Sequence, residues 1–164
     1  MTRLSCRLFF DECLSPDIIT NYIEPHLESL ELTAEATHYH DKFGTKSKLK
    51  DPEFVPILAR HPDWVLISQD RSQNGPRIHS LKLACRQHRV TLLCLSSGVM
   101  ERGFPFQGAQ ILAHWDRIVD CVRPRGGRYL IRLPDSGKSA TIFQALECPA
   151  GYAIKNGVCL PDSA

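Results

Sequence analysis

The sequence predicts an α/β domain in which a parallel β-sheet is covered by helices on both faces. Two observations carry that expectation. Short apolar or β-branched runs alternate with segments of helical spacing along most of the chain. The runs are also near-continuously apolar, as strands buried on both faces are, and each is bounded by polar turns.

The strand-like runs are "RLFFD" (7–11), "ATHYH" (36–40), "WVLISQD" (64–70) and "VTLLCLS" (90–96). After the first run, residues 16–29 read as a helix with Ser15 as N-cap and Pro16 at the first helical position, kinked or split by Pro25. Residues 52–60 place Phe54, Ile57 and Leu58 on one helical face, and residues 76–88 do the same with Ile78, Leu81 and Cys85. The longest helical stripe, 107–122, carries Ile111, Leu112, Trp115, Ile118, Val119 and Val122. Beyond Arg123 the pattern changes. "GRYLIRLP" and "SATIFQAL" read as an antiparallel hairpin about a polar turn, and "YAIKNGVCL" contains the tight-turn pair Asn156-Gly157.

A chain of 164 residues can bury a core without metal or disulfide staples. Its composition, 43% hydrophobic and 23% charged, excludes a disordered polyelectrolyte. No window approaches the roughly 18 apolar residues of a membrane span, and the N-terminus lacks the plan of a signal peptide. The expectation is a cytoplasmic protein with no membrane partner. Seven cysteines, none in Cys-x-x-Cys spacing, are then thiols, and Cys148 and Cys159 pair only in an oxidising compartment. Net charge is only +2, yet four lysines fall within 42–50 and four arginines within 123–132. Such clusters serve either as solvated surface or as contacts to a phosphate backbone.

In open parallel sheets, sites form beyond the carboxyl ends of the strands. Asp11 and Glu12 end the first run and Asp70 ends the third, so all three point to one rim. Asp51 and Glu53 open the helix that feeds the third run, which starts at the same rim. Each has a bland explanation: acids favour helix N-termini, and Asp is a common turn residue. Gathered together, they repel one another unless a cation neutralises them, and hard oxygen donors suit Mg²⁺ or Mn²⁺. Asp51 lies three residues before Phe54, on the buried side of its helix, whereas Glu53 turns towards solvent. That favours Asp51 as the metal ligand, with Glu53 in support.

The order "LFFDECLSP", "KDPEFVPILA", "WVLISQD", then "ILAHWDRIVDCV" and "YLIRLP", resembles the PIN-like domain family, and within it the short prokaryotic branch of VapC-type toxins. The resemblance covers roughly residues 7–133. It implies a PIN-like parallel sheet flanked by helices on both faces, with an added C-terminal antiparallel hairpin. Residues 1–124 would be the nuclease domain and 125–164 the hairpin extension and tail. It implies a metal-dependent endoribonuclease in which Asp11, Asp51 and Asp70 hold Mg²⁺ or Mn²⁺ and Glu12 or Glu53 assists. Such a metal polarises a phosphoryl oxygen and acidifies the attacking water. Lys46, Lys48, Lys50 and Arg71 would hold the RNA backbone, single-stranded or looped RNA being the more accessible substrate. The branch implies a cognate antitoxin as partner, and a homodimer is the expected assembly. Two departures stand out: Cys13 replaces a residue often polar in this branch, and the fourth acid has only Asn74 as a weak counterpart.

Two other readings compete. One is a catalytically silent PIN-like module that binds RNA or protein. The other is a phosphoacceptor receiver, with a hydroxyl at Ser96 or Ser97 and a Lys ending a fifth parallel strand; the chain instead runs into "RPRGGRYLIR". "DSGKSA" (135–140) lacks the first glycine of a P-loop, and "HYH" (38–40) puts two histidines on one side of a strand, too few for a metal site.

Overall fold

The computed structural model describes residues 6–29, 34–61, 64–69, 76–116, 118, 129–133, 142–145, 152–155 and 158–161. Its centre is a six-stranded sheet. The strands are β1 (Cys6–Phe10), β2 (Ala34–His38), β3 (Trp64–Gln69), β4 (Thr91–Leu95), β5 (Tyr129–Leu133) and β6 (Ile142–Ala145). They lie in the order β2-β1-β3-β4-β5-β6. The pairs from β2 to β5 are parallel and β6 is antiparallel to β5. A separate antiparallel pair, β7 (Tyr152–Lys155) and β8 (Val158–Pro161), spans the Asn156-Gly157 position.

The helices fall on both faces because the strands are apolar on both. On one face, a π-helical turn (Ile19–Ile23) continues into α1 (Glu24–Ser29), and α5 (Ser97–Glu101) leads into α6 (Phe104–Ala113). Their apolar residues pack with Leu8, Phe10, Val65, Ile67, Leu93 and Leu95. On the other face lie α2 (Tyr39–Phe43), α3 (Asp51–Leu58) and α4 (Pro76–His88). Phe54, Val55, Leu58, Leu81, Ala84 and Cys85 from α3 and α4 cover Phe9, Leu66, Leu92 and Cys94 there. Alternate residues of β1, β3 and β4 thus enter opposite layers, the doubly wound arrangement that the sequence predicts.

Five expectations are corrected. The second strand ends at His38, and Tyr39 begins a helix, so His38 and His40 do not share a strand face. The helix before β2 is not broken at Pro25. The π turn just before it makes an i→i−5 bond, from Glu24 N–H to Ile19 O, which widens the helix where the proline ring would otherwise collide with the preceding turn. In α3 the buried face is Phe54, Val55 and Leu58, with Ile57 only partly covered. The segment after Arg123 does supply a fifth parallel strand, β5, which ends at Leu133 and not at a lysine. Strand pairing therefore runs across the 124/125 position. The expected helix 107–122 begins earlier, at Phe104, because Gly103 takes φ +86° and turns the chain into it.

Candidate active site

The strand order reverses direction at β1, so the crevice between the ends of β1 and β3 is where a doubly wound sheet offers a site. Asp11 stands there. Its backbone N–H continues the ladder to Ile67 O at 3.0 Å, and its side chain is 2% exposed. Ser68 Oγ, from β3, donates to Asp11 Oδ2 at 2.9 Å, and Glu12 N–H donates to Asp11 Oδ1 at 2.8 Å. Cys13 Sγ lies 3.8 Å from Ser68 Oγ, whose own proton is directed at Asp11, so the thiol is the donor of that pair. Glu12 itself is exposed.

The turn after Asp11 is fixed from the neighbouring strand. Leu14 N–H bonds Asp11 O at 3.0 Å, and the buried His38 Nε2–H donates to Leu14 O at 2.6 Å. His38 Nδ1 accepts from His40 N–H at 3.1 Å and so caps α2, which sets the neutral tautomer with its proton on Nε2.

Asp51 opens α3 and is partly exposed. It acts on the same buried group as Asp11. The Cys85 thiol is held well above its usual pKa, first by burial, then by Cys94, Asp51 and Asp11. Glu53 is committed elsewhere: its Oε2 accepts from Lys50 N–H at 2.9 Å, one half of a capping box, and its side chain is exposed.

The loop before α3 is held by one hydroxyl. Tyr39 OH, on a ring 1% exposed, accepts from Leu49 N–H at 2.8 Å and lies 3.3 Å from Ser47 Oγ. Ser47 and Leu49 turn inwards, leaving Lys46, Lys48 and Lys50 exposed between them. Lys42 does not join this group; its Nζ lies 5.5 Å over the Trp64 ring.

Asp70, Arg71 and Asn74 lie outside the described residues, as do residues 123–128 of the arginine cluster, "DSGKSA" and Cys148. Among the described residues no three His, Cys, Asp or Glu side chains gather closely enough to hold a metal ion. The described donors at the crevice are nonetheless hard oxygens, the Asp11 carboxylate and the Ser68 hydroxyl, of the type that Mg²⁺ and Mn²⁺ take. Sequence reasoning missed Ser68 and saw His38 only as one of a histidine pair. A serine inside an otherwise apolar buried strand, two residues before Asp70, is the signal that points to the first.

A doubly wound α/β domain with a buried aspartate at its switch point is the class that this geometry defines. A family model described as "PIN like domain" matches residues 6–97, more than half of the chain. The chain belongs to the PIN-like domain family, whose fold is in general a nuclease fold that binds RNA. The match spans β1 to the start of α5 and therefore includes both Asp11 and Asp51. Comparisons with curated proteins and with solved structures find no match. No helix among the described residues is long and apolar enough to cross a membrane.

Proposed function

We propose that the crevice between β1 and β3 is the active site of a metal-dependent endoribonuclease that hydrolyses RNA phosphodiesters. The observation that carries this reading is the Asp11–Ser68 hydrogen bond, which fixes a buried carboxylate across the switch point. A buried carboxylate is costly unless neutralised, and a site built around one suits a cation. Asp11 and Asp51 would hold a divalent ion together with Asp70. When bound, the ion supplies Lewis-acid polarisation of a phosphoryl oxygen and a more acidic water. The chain's own residues do the rest. Ser68 and Glu12 N–H orient the Asp11 oxygens, His38 holds the turn that carries them, and Lys46, Lys48 and Lys50, with Arg71, hold the phosphate backbone.

The resemblance to the VapC-type branch supports a toxin role, with a cognate antitoxin as partner and a homodimer as the assembly. The decisive experiment incubates the purified protein with mixed RNA, with and without Mn²⁺, beside an Asp11→Asn variant. Cleavage that needs both the ion and Asp11 supports the proposal. RNA binding without cleavage in any divalent metal would leave a silent PIN-like binding module.

A further inference from the structure

We propose that Phe104, at the start of α6, is a stacking platform for one unpaired nucleobase of a single-stranded RNA, with Arg102 meeting the adjoining phosphate. This inference rests on the RNA-binding reading above. Among the described residues, Phe104 is the one large apolar side chain left exposed, at 41%. Its place is set by three local devices. Gly103 takes φ +86°, which an L side chain adopts only with strain. Pro105 occupies the first turn of α6, where its missing N–H costs no hydrogen bond. The buried Gln107 reaches back from α6, donating from Nε2 to Met100 O at 3.1 Å and so bracing α5 against α6. A solvent-facing phenyl ring is therefore held on a stiff corner.

The chain reaches this corner through α5, which starts from the rim that carries the candidate site. Leu95, the last residue of β4, is in register with Gln69 of β3, and Ser96 then caps α5 through its Oγ and Val99 N–H. Phe106 and Met100 pack on the core layer that also takes Cys13, two residues after Asp11. The Arg102 guanidinium, two residues before Phe104 in the chain, lies 4.5 Å from the Phe106 ring centroid. Arg102 and Pro105 on either side are exposed, as is Glu101. One ring bordered by polar residues falls far short of the roughly 800 Å² per partner that a stable protein interface buries. A nucleobase needs only one ring face, and an aromatic beside a cation is how unpaired nucleic acid is commonly held.

The test measures anisotropy of a short labelled unpaired RNA in EDTA, where cleavage cannot interfere, using the full chain and its Phe104→Ala, Phe104→Leu and Phe104→Trp variants. Stacking predicts about tenfold weaker binding for Ala and Leu, the low end of the range for losing one base–aromatic stack. Binding is retained in the Trp variant, whose emission is quenched by RNA. An oligonucleotide lacking its bases should not distinguish wild type from Phe104→Ala. Equal RNA affinity of wild type and Phe104→Ala, or no RNA binding by the wild type, overturns the proposal. So does a loss that tracks a change in oligomeric mass by light scattering, which would make Phe104 a protein contact. Cleavage is assayed separately with Mn²⁺. Absent cleavage with Phe104-dependent binding defeats the nuclease reading alone, and normal cleavage with Phe104-independent binding defeats this one alone.

Discussion

Ser68 Oγ and Asp11 Oδ2 lie 2.9 Å apart, joining the ends of β3 and β1 through a single proton. The hydroxyl has Asp11 as its acceptor and Cys13 as its donor, so it orients the carboxylate without competing for it. Ser68→Ala should lower metal-dependent cleavage by about 10–100-fold, as loss of a group that orients a ligand commonly does. Asp11→Asn should abolish cleavage with the fold retained. Cleavage rates at saturating Mn²⁺, with circular dichroism of each variant, check both. Wild-type rates in Ser68→Ala would remove the hydroxyl from the site.

Asp51 and Glu53 separate by experiment in opposite directions. Asp51→Asn should reduce cleavage far more than Glu53→Gln. Glu53→Ala should instead destabilise the start of α3 by about 1 kcal/mol, because it removes an acceptor from Lys50 N–H. Urea unfolding measures the second effect and cleavage the first. The reverse order would mean that α3 is oriented with Glu53 towards the rim.

Changing Lys46, Lys48 and Lys50 together to Ala should weaken RNA binding irrespective of sequence and flatten its dependence on salt. Tyr39→Phe should weaken binding in the same assay with the three lysines intact, since it frees Leu49 N–H from the hydroxyl that fixes their loop. An unchanged salt slope in the triple variant would return these lysines to ordinary surface.

Burial, reinforced by Cys94, Asp51 and Asp11, raises the Cys85 thiol, and this fixes the sign of a pH effect. The folded state keeps the thiol protonated while the unfolded chain ionises near the ordinary value of about 8.5. The stabilisation is therefore complete below that pH and is lost as pH rises towards the folded-state pKa. Melting temperature should fall on the alkaline side, and Cys85→Ala should flatten that fall while lowering stability at neutral pH. A parallel alkaline decline in both proteins would assign it to other groups.

At Gly108, α6 packs directly on the π turn. A Cβ there would sit 2.8 Å from Tyr22 Cβ, an atom too near the backbone to swing away. Overpacking of this kind costs about 1–3 kcal/mol, against at most about 1 kcal/mol gained in helix propensity. Gly108→Ala should be net destabilising in urea unfolding, and a stabilised variant would show that the two helices can separate freely.

Much of this arrangement was legible in the residues. The apolar runs end within two residues of the observed strands, and "PRIHSLKLACRQH" is α4 from first residue to last. What the chain concealed has identifiable causes. "ATHYH" is β-branched and aromatic, so it reads as strand to its end. The strand stops at His38 because an imidazole, an unusual N-cap, bonds His40 N–H and starts a helix. Local pattern also cannot name a strand's partner, so "RYLIR" was readable as a strand but not as the fifth parallel member of the sheet. At the site, Asp11 is marked by its place at the end of an apolar run. Ser68 is marked only as a serine in an otherwise apolar run, and what its hydroxyl does depends on the strand beside it.

β1 sits inside the sheet although it comes first in the chain. Cys6 pairs with Ala34 and Arg7 with Trp64, so neither edge of β1 is satisfied by near neighbours in sequence. A nascent chain cannot complete the pairing of "CRLFF" until both later strands have been made, and closing such long loops is slow. The same strand leads into Asp11, whose partner Ser68 stands near the end of β3. The crevice therefore cannot form until the chain has returned to this strand a second time.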